Sequence, residues 1–279
     1  MKKTFLLIAA CFMGMAASAQ VLEIVSTQKI ATPKGADWKV AGFSPVGDYI
    51  LLTDGANCGL IRYDLATQAT TTISEARGAG FNVQISADGQ NIVYRESTIG
   101  EDKLVRSNIY KHSFATNQRA VQAKAQRDLI NLVDQSSNYN VAINEDLHMV
   151  LTRNGKTIVI TPNGADEAYN WASISPDGKS ILYYVAVKGC YVCDLNGNNV
   201  RFVARHCRAP QWYDNNTIVG MADEDDGKFM TASAIVAYTL DGKSQILVNK
   251  ENMAIYPYAV EGKIVFSNAG GEVYLMNVK

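Results

Sequence analysis

Residues 169–204 read YNWASISPDGKSILYYVAVKGCYVCDLNGNNVRFVA. Three short runs rich in Ile, Leu, Tyr and Val are separated by turn residues, and the first turn contains Pro176, Asp177 and Gly178. This pattern predicts β-strands joined by tight turns. A unit of this size cannot bury both of its faces, so we expect it to recur along the chain.

The unit does recur, and each copy has an apolar residue six positions after the residue that opens its first turn. These markers are Ile50, Ile92, Val150, Ile181, Ile218 and Ile264. Their mean spacing, with the ends of the chain joined, is about 43 residues, which matches one four-stranded propeller blade. The sequence therefore predicts an all-β, six-bladed propeller as a single domain over residues 20–279. A seven-bladed ring, with about 37 residues per blade, is a minority alternative.

The two ends of the chain are predicted to close the ring. The last copy, YPYAVEGKIVFSNAGGEVYLMNVK, stops before its fourth strand, and the strand after Gln20 has no hairpin partner next to it. Pairing the N-terminal strand with the last sheet would remove an exposed edge. Two features stay open: residues 115–137 fit a strand or a helix, and the third copy, which starts at Tyr139, has an outer strand that looks truncated.

The first residues predict export. Lys2 and Lys3 precede an apolar run at 5–16 that ends in Ala17-Ser18-Ala19, the pattern of a secretory signal peptide cleaved near Ala19. Lipid anchoring at Cys11 is the less favoured alternative. No later run approaches the roughly 20 apolar residues of a membrane helix. We therefore expect a periplasmic or secreted protein without a transmembrane segment in residues 20–279.

Three copies share the pattern hydrophobic-Ser-Pro-x-Gly-x-x-Ile-hydrophobic or a close variant of it. They lie at residues 43–51, 85–93 and 174–182, and Tyr-Asp-Leu or Cys-Asp-Leu follows at 63–65 and 193–195. The pattern resembles the TolB-type (WD-like) β-propeller repeat. The resemblance covers the whole mature chain, strongly in three copies and weakly in the copies at Asn144, Trp212 and Tyr258. It implies a periplasmic partner of envelope proteins, by analogy of fold alone.

Sequence signals for catalysis or cofactors are weak, so we predict no catalytic residue, cofactor or metal. Gly178-Lys179-Ser180 lacks the earlier Gly and the following helix of a phosphate-binding loop, and Asp88, Asp177 and Asp241 are interpreted as turn residues. Without residues 1–19 the chain is slightly acidic, which argues against nucleic acid. The histidines, His112, His148 and His206, fall in three different copies at unlike positions.

The cysteines and one acidic run leave alternatives open. Cys190 and Cys193 are three apart on a predicted strand and should point to opposite faces, so a disulfide from one of them to Cys207, or buried free thiols, is favoured over a metal site. Cys58 is the remaining cysteine of the predicted mature chain. The run Asp223 to Gly227 is favoured as a solvated hairpin tip over a calcium loop.

Polar and aromatic residues just before each predicted inner strand should gather at one mouth of the central channel. This mixture suits stacking and hydrogen bonding with a ligand or peptide, although such residues also fill and solvate narrow channels. The predicted mouth residues are Trp38, Asn82, Tyr139, Asn140, Asn170, Trp171, Arg208, Gln211 and Tyr256.

These features favour a binding module for an envelope protein, a peptide or a small ligand. The alternative is a hydrolase or lyase acting on a carbohydrate or peptide at the channel mouth. Convergence of Arg208, His206 and two carboxylates within hydrogen-bonding reach in a deep pocket would favour that alternative, and scattered outward acids would count against it. A third possibility is one chain of a complex whose chemistry lies on another chain.

Overall fold

The computed structural model describes residues 20–34, 37–127 and 139–279. Within these ranges the chain forms 23 strands and one short 3-10 helix, Lys250–Asn252. The predicted signal peptide lies outside the described residues. The strands are β1 (Ile24–Lys29), β2 (Trp38–Phe43), β3 (Tyr49–Asp54), β4 (Cys58–Asp64), β5 (Thr70–Arg77), β6 (Gln84–Ile85), β7 (Asn91–Ile99), β8 (Val105–Ser113), β9 (Gln118–Gln126), β10 (Tyr139–Ile143), β11 (Met149–Arg153), β12 (Lys156–Ile160), β13 (Tyr169–Ile174), β14 (Ser180–Val185), β15 (Gly189–Asp194), β16 (Arg201–Ala204), β17 (Arg208–Trp212), β18 (Thr217–Asp225), β19 (Met230–Thr239), β20 (Ser244–Val248), β21 (Ala254–Val260), β22 (Lys263–Asn268) and β23 (Val273–Val278).

The strands form six antiparallel sheets, and each sheet is one blade of a β-propeller. Blades 1, 2, 4 and 5 are β2 to β5, β6 to β9, β13 to β16 and β17 to β20. Blade 3 consists of β10 to β12, so three strands are described where the sequence indicates a truncated outer strand. The predicted six-bladed ring is confirmed.

The N-terminal strand closes the ring. Blade 6 has the order β1-β23-β22-β21, with Ile24 opposite Val278 and Lys29 opposite Tyr274. This pairing is the predicted one, and it gives the last blade its outermost strand. In the ambiguous segment 115–137, Gln118–Gln126 forms β9, while residues 128–138 lie outside the described part of the chain.

The hydrophobic core lies mainly between neighbouring blades. Ile235 of blade 5 packs in one cluster with Phe266 of blade 6, and Leu51 of blade 1 packs in another with Tyr94 of blade 2. Each fully buried side chain of this kind contributes roughly 1.5–3 kcal/mol. No helix among the described residues is both long enough and apolar enough to cross a membrane.

Asp-Gly turns follow the innermost strands of blades 2 and 4 and have the predicted structural role. In blade 4 the Ser175 hydroxyl donates to Asp177 at 2.7 Å, and Asp177 also accepts the Lys179 amide at 3.1 Å. The Ser175 hydroxyl is the main cause of the lowered Asp177 pKa. Asp88 accepts the equivalent hydroxyl of Ser86 in blade 2, and Asp241 accepts the Thr239 hydroxyl in the turn between β19 and β20. Gly178 has φ +71°, a conformation that glycine adopts without strain.

Candidate functional site

The mouth of the ring is the end at which the chain enters each innermost strand, opposite the Asp-Gly turns. Antiparallel strands reverse direction at every turn, so the turns between the second and third strands of each blade also lie there. Innermost strands β2, β13, β17 and β21 each contain a register shift. Such bulges interrupt the regular alternation of side chains between the two faces of a strand. Predicted mouth residues lie at three of these shifts: Asn170 in β13, Arg208 and Gln211 in β17, and Tyr256 in β21.

A cavity of about 660 Å³ lies at the mouth between blades 4 and 5. We call it the mouth cavity. One wall is the segment that enters β17, and the adjoining wall is the end of β18, the neighbouring strand of the same blade. Its lining residues are Tyr184, Arg205, His206, Arg208, Ala222, Asp223, Glu224 and Asp225.

An ion pair joins the two walls. Arg208 pairs in register with Met221, and alternate residues of a strand share a face, so Asp223 lies on the side of β18 that Arg208 faces. Arg208 Nη1 donates to Asp223 Oδ2 at 2.6 Å. The Asp223 side chain is 6% exposed, whereas that of Arg208 is 63% exposed. The hydrogen bond to Asp223 and then its charge raise the Arg208 pKa.

The mouth cavity is lined by basic residues on one wall and by acidic residues on the other. Arg205, His206 and Arg208 supply the basic wall, while Glu224 and Asp225 extend the acidic wall beyond Asp223. Lys250 Nζ lies 3.2 Å from Glu224 Oε1, but both side chains are more than half exposed, so this pair contributes little. The arrangement suits a ligand that carries both positive and negative groups.

The basic wall is held from below by blades 4 and 5. The Tyr238 hydroxyl donates to the His206 carbonyl at 2.9 Å, which fixes the segment that enters β17. Cys190 of blade 4 donates its thiol hydrogen to the Cys207 carbonyl at 3.1 Å. Contact with the Cys207 side chain, followed by burial, raises the Cys190 pKa. These contacts preorganise the cavity from rigid strands.

The predicted mouth residues are distributed around several blades. Among the side chains that the structure describes, Arg208 is the predicted residue that lines the mouth cavity. The Tyr139 side chain lies outside the described part. The others are placed as follows: Trp38 begins β2, Asn82 precedes β6, Asn140 lies in β10, Asn170 and Trp171 in β13, Gln211 in β17, and Tyr256 in β21.

The predicted mouth residues differ in how much of their side-chain surface is exposed to solvent. Trp38 is buried, and its indole N–H donates to the Pro33 carbonyl at 2.6 Å. Trp171 packs against the core between blades 4 and 5. Asn170 is exposed, and Tyr256 is 45% exposed with φ +51°. Asn170, Arg208 and Tyr256 therefore have surface available to a ligand at the mouth.

The cysteines occupy the positions that strand alternation predicts. Cys190 packs with the core between blades 4 and 5, and Cys193 packs with the core between blades 3 and 4, so they lie on opposite faces of β15. Cys190 is the one in contact with Cys207. Both are free thiols here, as is Cys207. Over the described ranges, no group of three or more His, Cys, Asp or Glu side chains is arranged to hold a metal ion.

The acidic run 223–227 is only partly the solvated tip that the sequence suggests. Its first three residues extend β18, and the turn spans residues 226–229, with φ +87° at Gly227. Sequence reasoning missed the pairing of Asp223 with Arg208. Asp223 lies two residues beyond Met221, the partner of Arg208 in the sheet. This relation could have been used only with knowledge of the register between β17 and β18.

Fold and site together define a β-propeller with a charged cavity at its mouth. Among solved structures, the chain is similar to a putative TolB from Agrobacterium tumefaciens, with 17% identity over 87% of this chain and 90% of that one and a TM-score of 0.53. It is also similar to an oligogalacturonate lyase in complex with manganese, with 17% identity, 85% and 76% coverage and a TM-score of 0.52.

Virginiamycin B lyase from Staphylococcus aureus is similar at 11% identity, covering 90% of this chain and 99% of that one, with a TM-score of 0.51. At such identities the likeness concerns the fold alone. No protein-family model matches the chain, and no curated protein matches it in sequence.

Proposed function

We propose that the protein is an exported binding module whose mouth cavity receives a charged segment of an envelope protein or peptide. The observation that carries this proposal is that a basic segment, Arg205 to Arg208, and an acidic segment, Asp223 to Asp225, line the same cavity of about 660 Å³. A peptide offers both charges along one backbone, and complementary charge gives specificity and a fast association rate. The likeness to a TolB structure is compatible with this role.

Site-specific photocrosslinking in the native envelope tests the binding role. A photoreactive amino acid at Arg205, which is exposed in the cavity, should capture a discrete partner. The same amino acid at Lys179, whose side chain is 80% exposed at the opposite end of the ring, is the matched control. Capture from position 205 that is lost on Arg208→Ala supports the proposal. Equal capture from both positions, or none from position 205, contradicts it.

A lyase is the second candidate, because Arg208, His206 and carboxylates line one cavity. An arginine and an acid-base pair are the groups needed to stabilise an anionic intermediate and move a proton beside it. Two of the similar structures are lyases by description. Incubation with oligogalacturonate should then yield an unsaturated product that absorbs ultraviolet light, and His206→Ala should abolish it. A wild-type protein that produces none excludes this substrate.

Export is part of the proposal and has its own test. The pattern at Ala17 to Ala19 predicts that the mature chain begins at Gln20. Mass spectrometry of the protein recovered from the envelope should give that N-terminus. A recovered chain that still begins at Met1, or one lipidated at Cys11, contradicts this cleavage.

A further inference from the structure

A second cavity lies far from the mouth, between the outer strands of blades 1 and 2. Its volume is about 570 Å³, and its principal lining residues are Arg62, His112, Phe114 and Arg119. We call it the outer groove. It opens at the end of the ring that carries the Asp-Gly turns, since the turns after β4 and β8 form part of its rim.

Arg62 is held in the groove by aromatic rings. Its guanidinium carbon lies 4.4 Å from the centroid of the Tyr49 ring and 4.7 Å from that of Phe114. The two rings meet edge to face at 5.1 Å, and the Tyr49 hydroxyl is anchored on the Gly89 carbonyl at 2.8 Å. Cation–π contacts of this kind fix the plane of the guanidinium.

The Arg62 guanidinium keeps its hydrogen-bonding capacity. Over the described ranges no hydrogen bond joins it to another residue, and its nearest carboxylate oxygens, on Asp64 and Asp48, are 3.8 and 4.0 Å away. The side chain is nevertheless only 26% exposed. A planar fork of five N–H donors is therefore preformed at the cavity wall, which is the arrangement that recognises carboxylate and phosphate groups.

His112 supplies a second polar group. The residue is only 8% exposed, its ring meets Phe114 edge to face at 5.2 Å, and it lines the cavity. Within the described chain no hydrogen bond to its imidazole is found. Burial and then the charge of Arg119 lower its pKa, so at neutral pH the ring is uncharged and has one N–H to donate.

Asp64, which lines the groove, and Glu96, which lies beside Arg119, already accept hydrogen bonds from the protein. Asp64 accepts the Thr67 amide and hydroxyl, each at 2.9 Å, within its own turn. Glu96 accepts Arg119 Nη1 at 2.7 Å and the Ser74 hydroxyl at 2.9 Å. What the cavity offers to an incoming molecule is therefore chiefly donors: the Arg62 fork, the His112 N–H and the remaining N–H groups of Arg119.

We propose that the outer groove is a binding site for an anionic small molecule that presents a carboxylate or phosphate group to Arg62 and His112. The two rings that position Arg62 also give the rest of the ligand an apolar surface to pack against. This site is separate from the mouth cavity, so its occupancy does not depend on the function proposed there.

The three histidines make nuclear magnetic resonance of their imidazoles a direct test. His112 lies in the outer groove, His206 lines the mouth cavity, and His148 Nε2 is 2.8 Å from the Ala165 carbonyl. Inorganic phosphate and citrate are titrated separately at constant pH, with sodium chloride at matched ionic strength as control. We expect a saturable shift of the His112 resonances, with His148 and His206 unchanged. A stronger response to phosphate than to citrate assigns a phosphate group, and the reverse order a carboxylate.

Variants then identify the donors. Arg62→Gln should weaken the response of His112 by about tenfold, the typical loss when a charged hydrogen-bond donor is removed. Arg201→Gln removes the same charge from the exposed outer strand of blade 4 and should change nothing. If Arg62→Gln does not fold, Arg62→Lys keeps the charge without the planar fork and should still weaken the response. No shift of His112, the same shift in sodium chloride, or an unaltered response in a folded Arg62 variant overturns the proposal.

Discussion

Arg208 in the mouth cavity and Arg62 in the outer groove are held by different means. Arg208 is fixed by an ion pair to the nearly buried carboxylate of Asp223. Arg62 is fixed by two aromatic faces and retains its hydrogen-bonding capacity. A ligand at the mouth must share Arg208 with Asp223, whereas an anion in the groove meets Arg62 without displacing a protein hydrogen bond. The mouth is therefore suited to mixed charge and the groove to an anion.

The thiols beneath the mouth give the largest expected effect. Cys190 and Cys207 are in contact and 17 residues apart, so an oxidising compartment should join them in a disulfide between blades 4 and 5. A loop of this size is stabilised by about 3 kcal/mol. Urea unfolding with and without a reductant should show this gain in the free energy of unfolding. The disulfide would also make the mouth more rigid than the groove.

The control uses the other thiol of the same strand. Cys190→Ala should lose the gain on oxidation, while Cys193→Ala, which alters the opposite face of β15, should keep it. Alkylation followed by mass spectrometry identifies the pair. If all four thiols of the oxidised folded protein are alkylated, or if Cys193 is in the disulfide, this prediction is wrong.

The ion pair at the mouth should respond asymmetrically to substitution. Arg208→Ala leaves the Asp223 carboxylate nearly buried without its partner, and we expect a loss of about 2 kcal/mol in the free energy of unfolding. Asp223→Ala leaves an arginine that is 63% exposed, so it should cost less than about 1 kcal/mol. Urea unfolding of both variants and of the double variant measures the difference. An equal or larger loss in Asp223→Ala would contradict the prediction that the cost comes from leaving the Asp223 carboxylate nearly buried without a partner.

The fold was accessible from the sequence because its information is local and repeated. The apolar marker after each turn, Ile181 in the best copy, fixes the second strand of a blade, and the truncated last copy implies closure by β1. The turn of blade 3 is harder to predict from the sequence, because Leu147 stands where blade 4 has Gly178. Leu147 nevertheless has φ +58°. Tertiary context imposes that conformation on a residue type that disfavours it.

The sites were less accessible because they depend on register and on distant contacts. Arg208 was predicted at the mouth from its place before β17, but its pairing with Asp223 follows from the β17–β18 register. The outer groove was missed altogether. Arg62 lies in β4 and His112 in β8, the third strands of blades 1 and 2. No linear pattern connects residues 50 positions apart in sequence. Polar residues on outer strands usually only face solvent, so neither one is distinctive alone.

The aromatic support of Arg62 can be tested without emptying the groove. Phe114→Leu keeps an apolar side chain but removes the ring that contacts Tyr49 and Arg62. We expect a loss of about 1 kcal/mol in stability, from the aromatic pair and the cation–π contact. Phe229→Leu is the matched control, because Phe229 is 64% exposed at a hairpin tip and should tolerate the change. Equal losses in the two variants would mean that the ring does not hold Arg62.

The smallest expected effect is the response of the groove to pH. Burial, followed by the charge of Arg119, lowers the pKa of His112 below its ordinary value of 6.5. The unfolded chain therefore takes up this proton at higher pH than the folded chain. The contribution of His112 to stability is fully present above pH 6.5 and is lost as the pH falls through the folded-state pKa.

Two measurements check this linkage. A resonance titration should give His112 a midpoint below 6.5, and urea unfolding should show that His112→Gln loses less stability than the wild-type protein as the solution is acidified. Binding of phosphate or citrate should move the His112 midpoint upward, because an adjacent anion favours the protonated ring. A midpoint at or above 6.5 in the unliganded protein would contradict the buried, uncharged imidazole. It would also reduce the contrast with the mouth, where Arg208 is already paired with Asp223.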